Sequence, residues 1–232
     1  MSTDFSSRNV VVTGATGGLG EAVVRQLLAA GATVHVPVRH PDKARDLFAG
    51  TDRVRVAAVA DLGDEAAVVT FYAGVPSIWA SVHCAGGFTM SRIDETRLTD
   101  LRTMLDMNTV PTFLCCREAV KAMRGRGGRI VNVAAQPGVE PRRGGGMAAY
   151  AASKAAVAAI TLALAEELAG EEIWVNGVVP SIMDTEANRR AMPNADHAKW
   201  PKVAEVAATI AFLASPQNTA TRAALVPVYG RS

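Results

Sequence analysis

The feature of this sequence that most constrains its fold is the alternation of short β-branched runs with helical patterns. The first unit joins an apolar run at residues 9–14 to a glycine-rich turn and a helical pattern that closes at Gly31. A continuous β-branched run ended by glycine is typical of a strand buried on both faces. Similar runs occupy residues 33–38, 53–59, 77–86, 128–134, 173–179 and 223–229. This pattern predicts an α/β fold, a doubly wound, seven-stranded parallel sheet of Rossmann type with helices on both faces.

The sequence predicts one domain that spans residues 1–232, because it contains no linker, repeat or low-complexity segment. Residues 1–135 are expected to bind mainly a dinucleotide. Residues 136–232 carry a candidate catalytic pair, a candidate substrate lid and the last strand. Helical patterns cover residues 18–31, 41–48, 63–73, 97–123, 147–169 and 202–214, and Pro111 is expected to bend or divide the fourth of these.

Charge and composition argue against several classes of function. The net charge of +2 comes without a Lys/Arg block, so we expect no nucleic-acid partner. No apolar run reaches about 18 residues and the first residues are polar, so we expect no membrane span, no signal peptide and a cytoplasmic location. Cys84, Cys115 and Cys116 lack metal-ligand spacing, so no metal is expected and the thiols are interpreted as small core residues.

The motif TGATGGLG, residues 13–20, lies between the first strand and the first helix. Its glycines permit a tight turn, and the free N–H groups of the helix N-terminus can bind a pyrophosphate. The motif is more specific than a lone glycine pattern because it stands in the strand–turn–helix context. The residues predicted to contact the cofactor here are Gly14, Thr16, Gly18, Leu19 and Gly20.

The carboxyl ends of the next strands should complete the cofactor site. The second strand ends without a ribose-binding carboxylate near Val38, and Arg39 follows it. A cation at that edge favours the additional phosphate of NADPH, with NADH left open. Asp61 is placed to accept a hydrogen bond from adenine, and the remaining predicted contacts of this region are Leu62, Ala85 and Gly86.

Tyr150 and Lys154 lie on one face of a predicted helix, at positions i and i+4. A free tyrosine has a pKa of about 10 and exchanges protons poorly at neutral pH. At about 4 Å and an effective dielectric of about 20, an ammonium attracts a phenolate by roughly 4 kcal/mol. We therefore expect Lys154 to lower the pKa of Tyr150 by up to about three units, into the range useful for acid–base catalysis.

Over essentially its whole length the chain resembles the short-chain dehydrogenases/reductases, on TGATGGLG, AGG after the fourth strand, LDMN, YAASK and VNGVVPSIMDT. The resemblance implies that Asn108 holds a water on the proton path to Lys154 and that Lys154 also binds the nicotinamide ribose. It further implies that Thr185 bonds the carboxamide, with help from the backbone at Ile182 beside Pro180. The chain departs from the family pattern at two places. HCAG lacks the family's usual asparagine before AG, and Ser181 stands where the family usually has glycine.

The largest departure is Ala135, which stands where the family has a catalytic serine and cannot donate a hydrogen bond. Gln136, Ser181 or a water are the candidate substitutes. Residues 184–200, the lid segment, resemble the corresponding segment of dihydropteridine reductases, a branch that also lacks the serine. That resemblance implies a flat, conjugated acceptor such as a quinonoid dihydropteridine, reduced without a developing alkoxide. Met192 and Trp200 of the lid are further candidate substrate contacts.

Two other functions stay open at this point. One is a ketone or aldehyde reductase, or alcohol dehydrogenase, of the same family. The other is a nucleotide-binding sensor or scaffold that has lost catalysis together with the serine. The Ala-rich helices around residues 112–123 and 151–168, together with the family resemblance, predict a homodimer or homotetramer that acts on a small molecule.

Overall fold

The computed structural model describes residues 3–232, and those residues form one seven-stranded sheet in which every strand pair is parallel. The strand order is β3-β2-β1-β4-β5-β6-β7. The direction of winding reverses between β1 and β4, and in such sheets the ligand crevice opens at this point, outside the carboxyl ends of the strands. The strands are β1 (Asn9–Thr13), β2 (Thr33–Val38), β3 (Val54–Ala58), β4 (Ile78–His83), β5 (Gly128–Val133), β6 (Ile173–Pro180) and β7 (Leu225–Val228).

Helices cover both faces of the sheet and enclose two principal apolar cores. One core packs the first and last long helices against β1, β2 and β4, and the other packs the middle helices against β4, β5 and β6. The helices are α1 (Gly18–Ala29), α2 (Pro41–Leu47), α3 (Glu65–Ala73), α4 (Leu98–Met104), α5 (Val110–Met123), α6 (Gln136–Val139), α7 (Ala148–Glu167), α8 (Glu186–Ala191) and α9 (Val203–Ala214).

The predicted fold class is confirmed, and the seven strands lie where their β-branched runs predicted them. The long helical pattern does divide, but the division differs from the expected proline bend. A π-helical turn, Leu105–Thr109, separates α4 from α5, so the irregularity precedes Pro111. Asn108 lies in this turn, and its buried side chain forms hydrogen bonds with Gly87 and Ser153. The helix is therefore interrupted where these contacts form.

One helix corrects an expectation about membranes. By length and composition alone, α7 is apolar enough to cross a bilayer, although the sequence pattern suggested that no segment would be. Core helices of globular proteins meet the same criterion, so the finding is weak evidence for a membrane. The helix contacts β5 and β6 and carries the buried Lys154.

Candidate active site

A groove of about 360 Å³ opens at the carboxyl ends of β1, β2 and β4. The backbone of Gly14 forms its base with φ of +67°, and a Cβ added there would lie 2.7 Å from the Ala85 nitrogen. Only glycine permits this turn and this close approach. The cradle therefore fits the pyrophosphate of a dinucleotide bound at the start of α1.

Seven of the predicted cofactor residues line this groove, namely Gly14, Thr16, Arg39, Asp61, Leu62, Ala85 and Gly86. Leu19 and Gly20 are instead buried in the first turn of α1, where they pack the helix against the strand. The sequence did not predict several other lining residues, among them Cys84 and Met107. Arg39 is exposed at the rim and makes no salt bridge within residues 3–232.

The predicted carboxamide-binding residues lie at the start of α8, opposite the glycine turn. Thr185 is the N-cap of α8, where its hydroxyl oxygen accepts a hydrogen bond from the Asn188 backbone N–H at 3.1 Å. A Cβ added at Gly18 would lie 3.8 Å from the Thr185 methyl group, so the two residues face each other. Pro180 ends β6 as a buried residue, and Ile182 is exposed beside it. The hydroxyl proton of Thr185 remains free to donate.

Lys154 and Asn108 meet beside Gly86. The Lys154 Nζ donates to the backbone carbonyl of Val133, at the end of β5, at 2.8 Å. A Cβ added at Gly86 would lie 2.5 Å from Asn108 Oδ1 and 3.4 Å from Lys154 Nζ. Asn108 is fully buried and bonds the backbone N–H and carbonyl of Gly87, while its Nδ2 also donates to Ser153 Oγ at 3.1 Å. The structure thus brings the predicted residues together on a rigid support.

Ser153, which the sequence reasoning missed, connects this support to the tyrosine. It is fully buried, and its hydroxyl donates to the Tyr150 carbonyl at 2.8 Å while it accepts from Asn108. Its position directly before Lys154 in YAASK was the one available signal. The Tyr150 ring packs edge-to-face against Phe88, with ring centroids 4.9 Å apart. Phe88 is 60% exposed, so an aromatic surface borders Tyr150.

The expected effect of Lys154 on the tyrosine is wrong for this structure. Burial raises the pKa of Tyr150 to about 12, and burial lowers the pKa of Lys154 to about 8. Both shifts share one cause, because each side chain loses hydration that stabilises its charged form. Tyr150 therefore carries its proton at neutral pH, although the raised pKa makes it a weaker acid than a free tyrosine.

The two side chains that could replace the missing serine, Ser181 and Gln136, differ in whether a proton is left to donate. Ala135 is 5% exposed and is followed at once by α6. Ser181 donates to the Tyr229 carbonyl at 3.0 Å and shares a hydrogen bond with Ser232, so its proton is already engaged. Gln136 begins α6 and uses one amide N–H to donate to Glu140 at 3.2 Å. The second amide proton of Gln136 has no such partner among residues 3–232.

The lid segment is folded around its own side chains. His197 Nε2 donates to the Met192 carbonyl at 2.8 Å, and the centroid of its ring lies 4.6 Å from that of Trp200. Trp200 is only 8% exposed. Its indole therefore packs inside the lid, while Met192 stays partly exposed.

A buried polar network below the site was not predicted. His83 contacts Asn132 Oδ1 at 2.7 Å and Ser81 Oγ at 2.8 Å, and burial lowers the pKa of its imidazole to about 4. It is therefore neutral and structural. Burial also raises the pKa of Cys115 and Cys116 to about 12, which supports the interpretation of these thiols as inert core residues.

The chain is similar to known proteins in both sequence and structure. The sequence model of the short chain dehydrogenase family matches residues 8–196. A 3-oxoacyl-[acyl-carrier-protein] reductase FabG from Rickettsia bellii is 30% identical over 226 residues, which cover 93% of this chain and 92% of that protein. A 3beta-hydroxysteroid dehydrogenase from Mediterraneibacter gnavus is 32% identical over 195 residues, or 81% of this chain and 70% of the relative. A structure from Beutenbergia cavernae with bound NADP at low occupancy superimposes with a TM-score of 0.89 and 27% identity, covering 99% of this chain and 98% of that one.

Proposed function

Because this chain belongs to the short-chain dehydrogenase/reductase family and is an NAD(P)-dependent oxidoreductase, we propose that it reduces a flat, conjugated acceptor with NADPH. A quinonoid dihydropteridine is the first candidate for that acceptor. The observation that carries the proposal is Ala135, a buried residue without a donor at the end of β5. A carbonyl oxygen that becomes an alkoxide requires such a donor, whereas an imine-like ring that accepts hydride and a proton needs it less.

Two further observations support a flat acceptor. Phe88 is 60% exposed and packs edge-to-face with Tyr150, so an aromatic ring on which a planar acceptor can stack borders the tyrosine. The small residues Cys84, Ala85 and Gly86 follow β4 and line the groove, so no large side chain from that strand end fills it.

The residues of the chain have separable tasks in this reaction. When bound, the nicotinamide nucleotide supplies the hydride. Tyr150 holds a proton at its phenol oxygen and donates it to the acceptor. Lys154, anchored by the Val133 carbonyl, holds its ammonium beside Gly86, where it can bind the nicotinamide ribose. Asn108 and Ser153 hold the first turn of α7 through their mutual hydrogen bond and the bond to the Tyr150 carbonyl, and Gly86 leaves room for Asn108 and Lys154.

The pKa of Lys154 gives an expected pH dependence. Its ammonium is present below about pH 8 and is lost above it. The kcat/KM for NADPH, which reports the free enzyme, should therefore fall with a single proton dependence as pH rises through about 8. The Lys154→Arg variant keeps its charge to higher pH, so any residual activity should lose this alkaline limb. A wild-type profile that stays flat up to pH 10 would contradict the assigned role (pH 10 is roughly where a phenol titrates).

A second candidate function is reduction of a ketone or aldehyde, and the relatives favour it. The Rickettsia bellii protein is named a 3-oxoacyl reductase and the Mediterraneibacter gnavus protein a hydroxysteroid dehydrogenase, and both names describe chemistry at a carbonyl or hydroxyl carbon. In this chain the second amide proton of Gln136, or a water, would then bond the developing oxyanion.

The Ala135→Ser variant separates the two candidates. Its hydroxyl would restore a donor, which is worth about 100-fold in reactions that develop an oxyanion. We expect carbonyl reduction to rise by at least about tenfold, with reduction of a quinonoid dihydropteridine changed less than about threefold. Steady-state rates on both acceptors decide this, with Ala134→Ser as the matched control one residue away. A wild-type enzyme that already reduces ketones efficiently and gains nothing from Ala135→Ser would favour the second candidate.

The preference for NADPH rests on Arg39. Its exposed guanidinium at the rim of the groove pairs with no carboxylate among residues 3–232 and can pair with a phosphate on the adenosine ribose. Titration of the protein with NADPH and NADH, followed by nicotinamide fluorescence, tests this preference. Equal affinities for NADPH and NADH would contradict the preference for NADPH.

We also propose that the chain forms a homodimer or homotetramer in the cytoplasm, without nucleic acid or membrane as partners. Phe113 on α5 and Leu162 on α7 are 53% and 42% exposed, which leaves apolar surface on both helices. Light scattering at micromolar concentration tests the assembly, and a monomer mass would contradict it.

A further inference from the structure

The last residues of the chain lie against the segment that follows Ala135. The Tyr229 ring packs against the small apolar cluster formed by Ala134, Val157, Ala158 and Val179. From there its hydroxyl donates to Glu140 Oε1 at 2.7 Å. Burial and the Glu140 carboxylate raise the pKa of the Tyr229 phenol to about 12, so it is a donor at any physiological pH. Through Tyr229, the residues that follow β7 thus contact the end of α6.

Glu140 in turn fixes Gln136. Its second carboxylate oxygen accepts from Gln136 Nε2 at 3.2 Å, and its backbone N–H donates to the Gln136 carbonyl at 2.7 Å. Gln136, which begins α6, and Glu140, which caps its C-terminus, are therefore joined by two hydrogen bonds. A planar amide with one proton bonded to a carboxylate has its second proton fixed in direction. The carboxylate also makes that amide a better donor, because chains of hydrogen bonds polarise one another.

The short helix α6 lies directly on the catalytic helix. A Cβ added at Gly138 would lie 2.6 Å from the Lys154 carbonyl carbon, so the two backbones are in contact there. Gln136 therefore lies two residues before the point at which α6 contacts the backbone of Lys154. No other segment of residues 3–232 donates a side-chain hydrogen bond to Glu140 Oε1, so Tyr229 alone completes the arrangement on that oxygen.

We propose that Tyr229 is a positioning residue for the acceptor, and that it acts by holding Glu140 and, through it, the Gln136 amide that replaces the missing serine as donor. This inference rests on the second candidate function, reduction of a ketone or aldehyde, because it assigns the donor to the developing oxyanion in that same site. Tyr229 itself touches neither substrate nor cofactor in this role.

A double-mutant cycle on Tyr229→Phe and Gln136→Ala tests the coupling. Tyr229→Phe keeps the packed ring and removes only the donor to a charged group, so kcat/KM for the acceptor should fall about fivefold with cofactor affinity unchanged. In the Gln136→Ala background the same substitution should change kcat/KM less than about twofold. An equal loss in both backgrounds would show that Tyr229 has only a general structural effect and would overturn the proposal.

Hydrogen exchange provides a readout that does not require turnover. Tyr229→Phe should raise amide exchange in residues 136–140, because Glu140 loses its anchor. The matched control is Ser232→Ala, which removes the hydrogen bonds of Ser232 with Ser181 and the Tyr229 carbonyl but keeps the Tyr229 phenol, and should leave that exchange unchanged. Unchanged exchange in Tyr229→Phe would overturn the positioning role. A wild-type enzyme without turnover, combined with raised exchange, would place the failure in the proposed function instead.

Discussion

The Tyr150→Phe variant is expected to lose about 1000-fold in kcat while it binds NADPH with unchanged affinity. The loss follows from removal of the phenol proton, which Tyr150 holds at neutral pH with its pKa raised by burial to about 12. Positioned acid–base groups contribute about 100- to 10,000-fold. Phenylalanine keeps the edge-to-face contact with Phe88, so the variant should fold and retain its aromatic surface.

Single-turnover absorbance of the nicotinamide, with a separate fluorescence titration of NADPH, measures both quantities for Tyr150→Phe. Phe88→Leu is the matched comparison, because it alters the same contact and leaves the phenol hydroxyl intact. We expect that variant to raise KM for the acceptor more than it lowers kcat. A Tyr150→Phe enzyme within about tenfold of wild type would show that the proton comes from elsewhere.

Gly86→Ala is expected to lower kcat/KM by about 100-fold although it adds a single methyl group. That methyl would lie 2.5 Å from Asn108 Oδ1 and 3.4 Å from Lys154 Nζ. Asn108 cannot yield cheaply, because it is fully buried and bonded to Gly87 and Ser153. The lysine or the asparagine must therefore move, and misplacement of about 1 Å at a catalytic group costs on the order of 100-fold.

The neighbouring glycine provides a control for this prediction. A Cβ added at Gly87 meets the flexible end of Met107, which is 36% exposed and can rotate away. Gly87→Ala should consequently cost less than about tenfold in kcat/KM. Comparison of the two variants by kinetics and thermal unfolding distinguishes local catalytic damage from general destabilisation. Equal losses in both would contradict the role given to Gly86.

Much of the fold could be predicted because it depends on local pattern. The β2 run TVHVPV begins and ends where the β-branched residues do, at Thr33 and Val38. Pro37 falls near the end of that strand, and the pairing of β2 with β1 extends only to His35. The short helices α6 and α8 have no amphipathic repeat long enough to be recognised, so they could not be predicted in this way.

The site was predicted less completely because its interactions join distant segments. Asn108, Tyr150 and Lys154 follow from motifs, but the pKa values depend on burial, which the spacing of Tyr150 and Lys154 does not reveal. Ser181 was a plausible donor until the structure showed it bonded to the C-terminal segment. Neither the groove-lining Met107 nor the contact of Tyr229 with Glu140 carries a local signal.

The central claim is that Ala135 reflects an acceptor that does not need the missing donor. Stopped-flow oxidation of NADPH by the wild-type enzyme tests it most directly, with freshly prepared quinonoid dihydropteridine compared against simple ketones under identical conditions. We predict rapid oxidation of NADPH with the pteridine, and oxidation at least about 100-fold slower with ketones. Rapid turnover of ketones with none of the pteridine would contradict it.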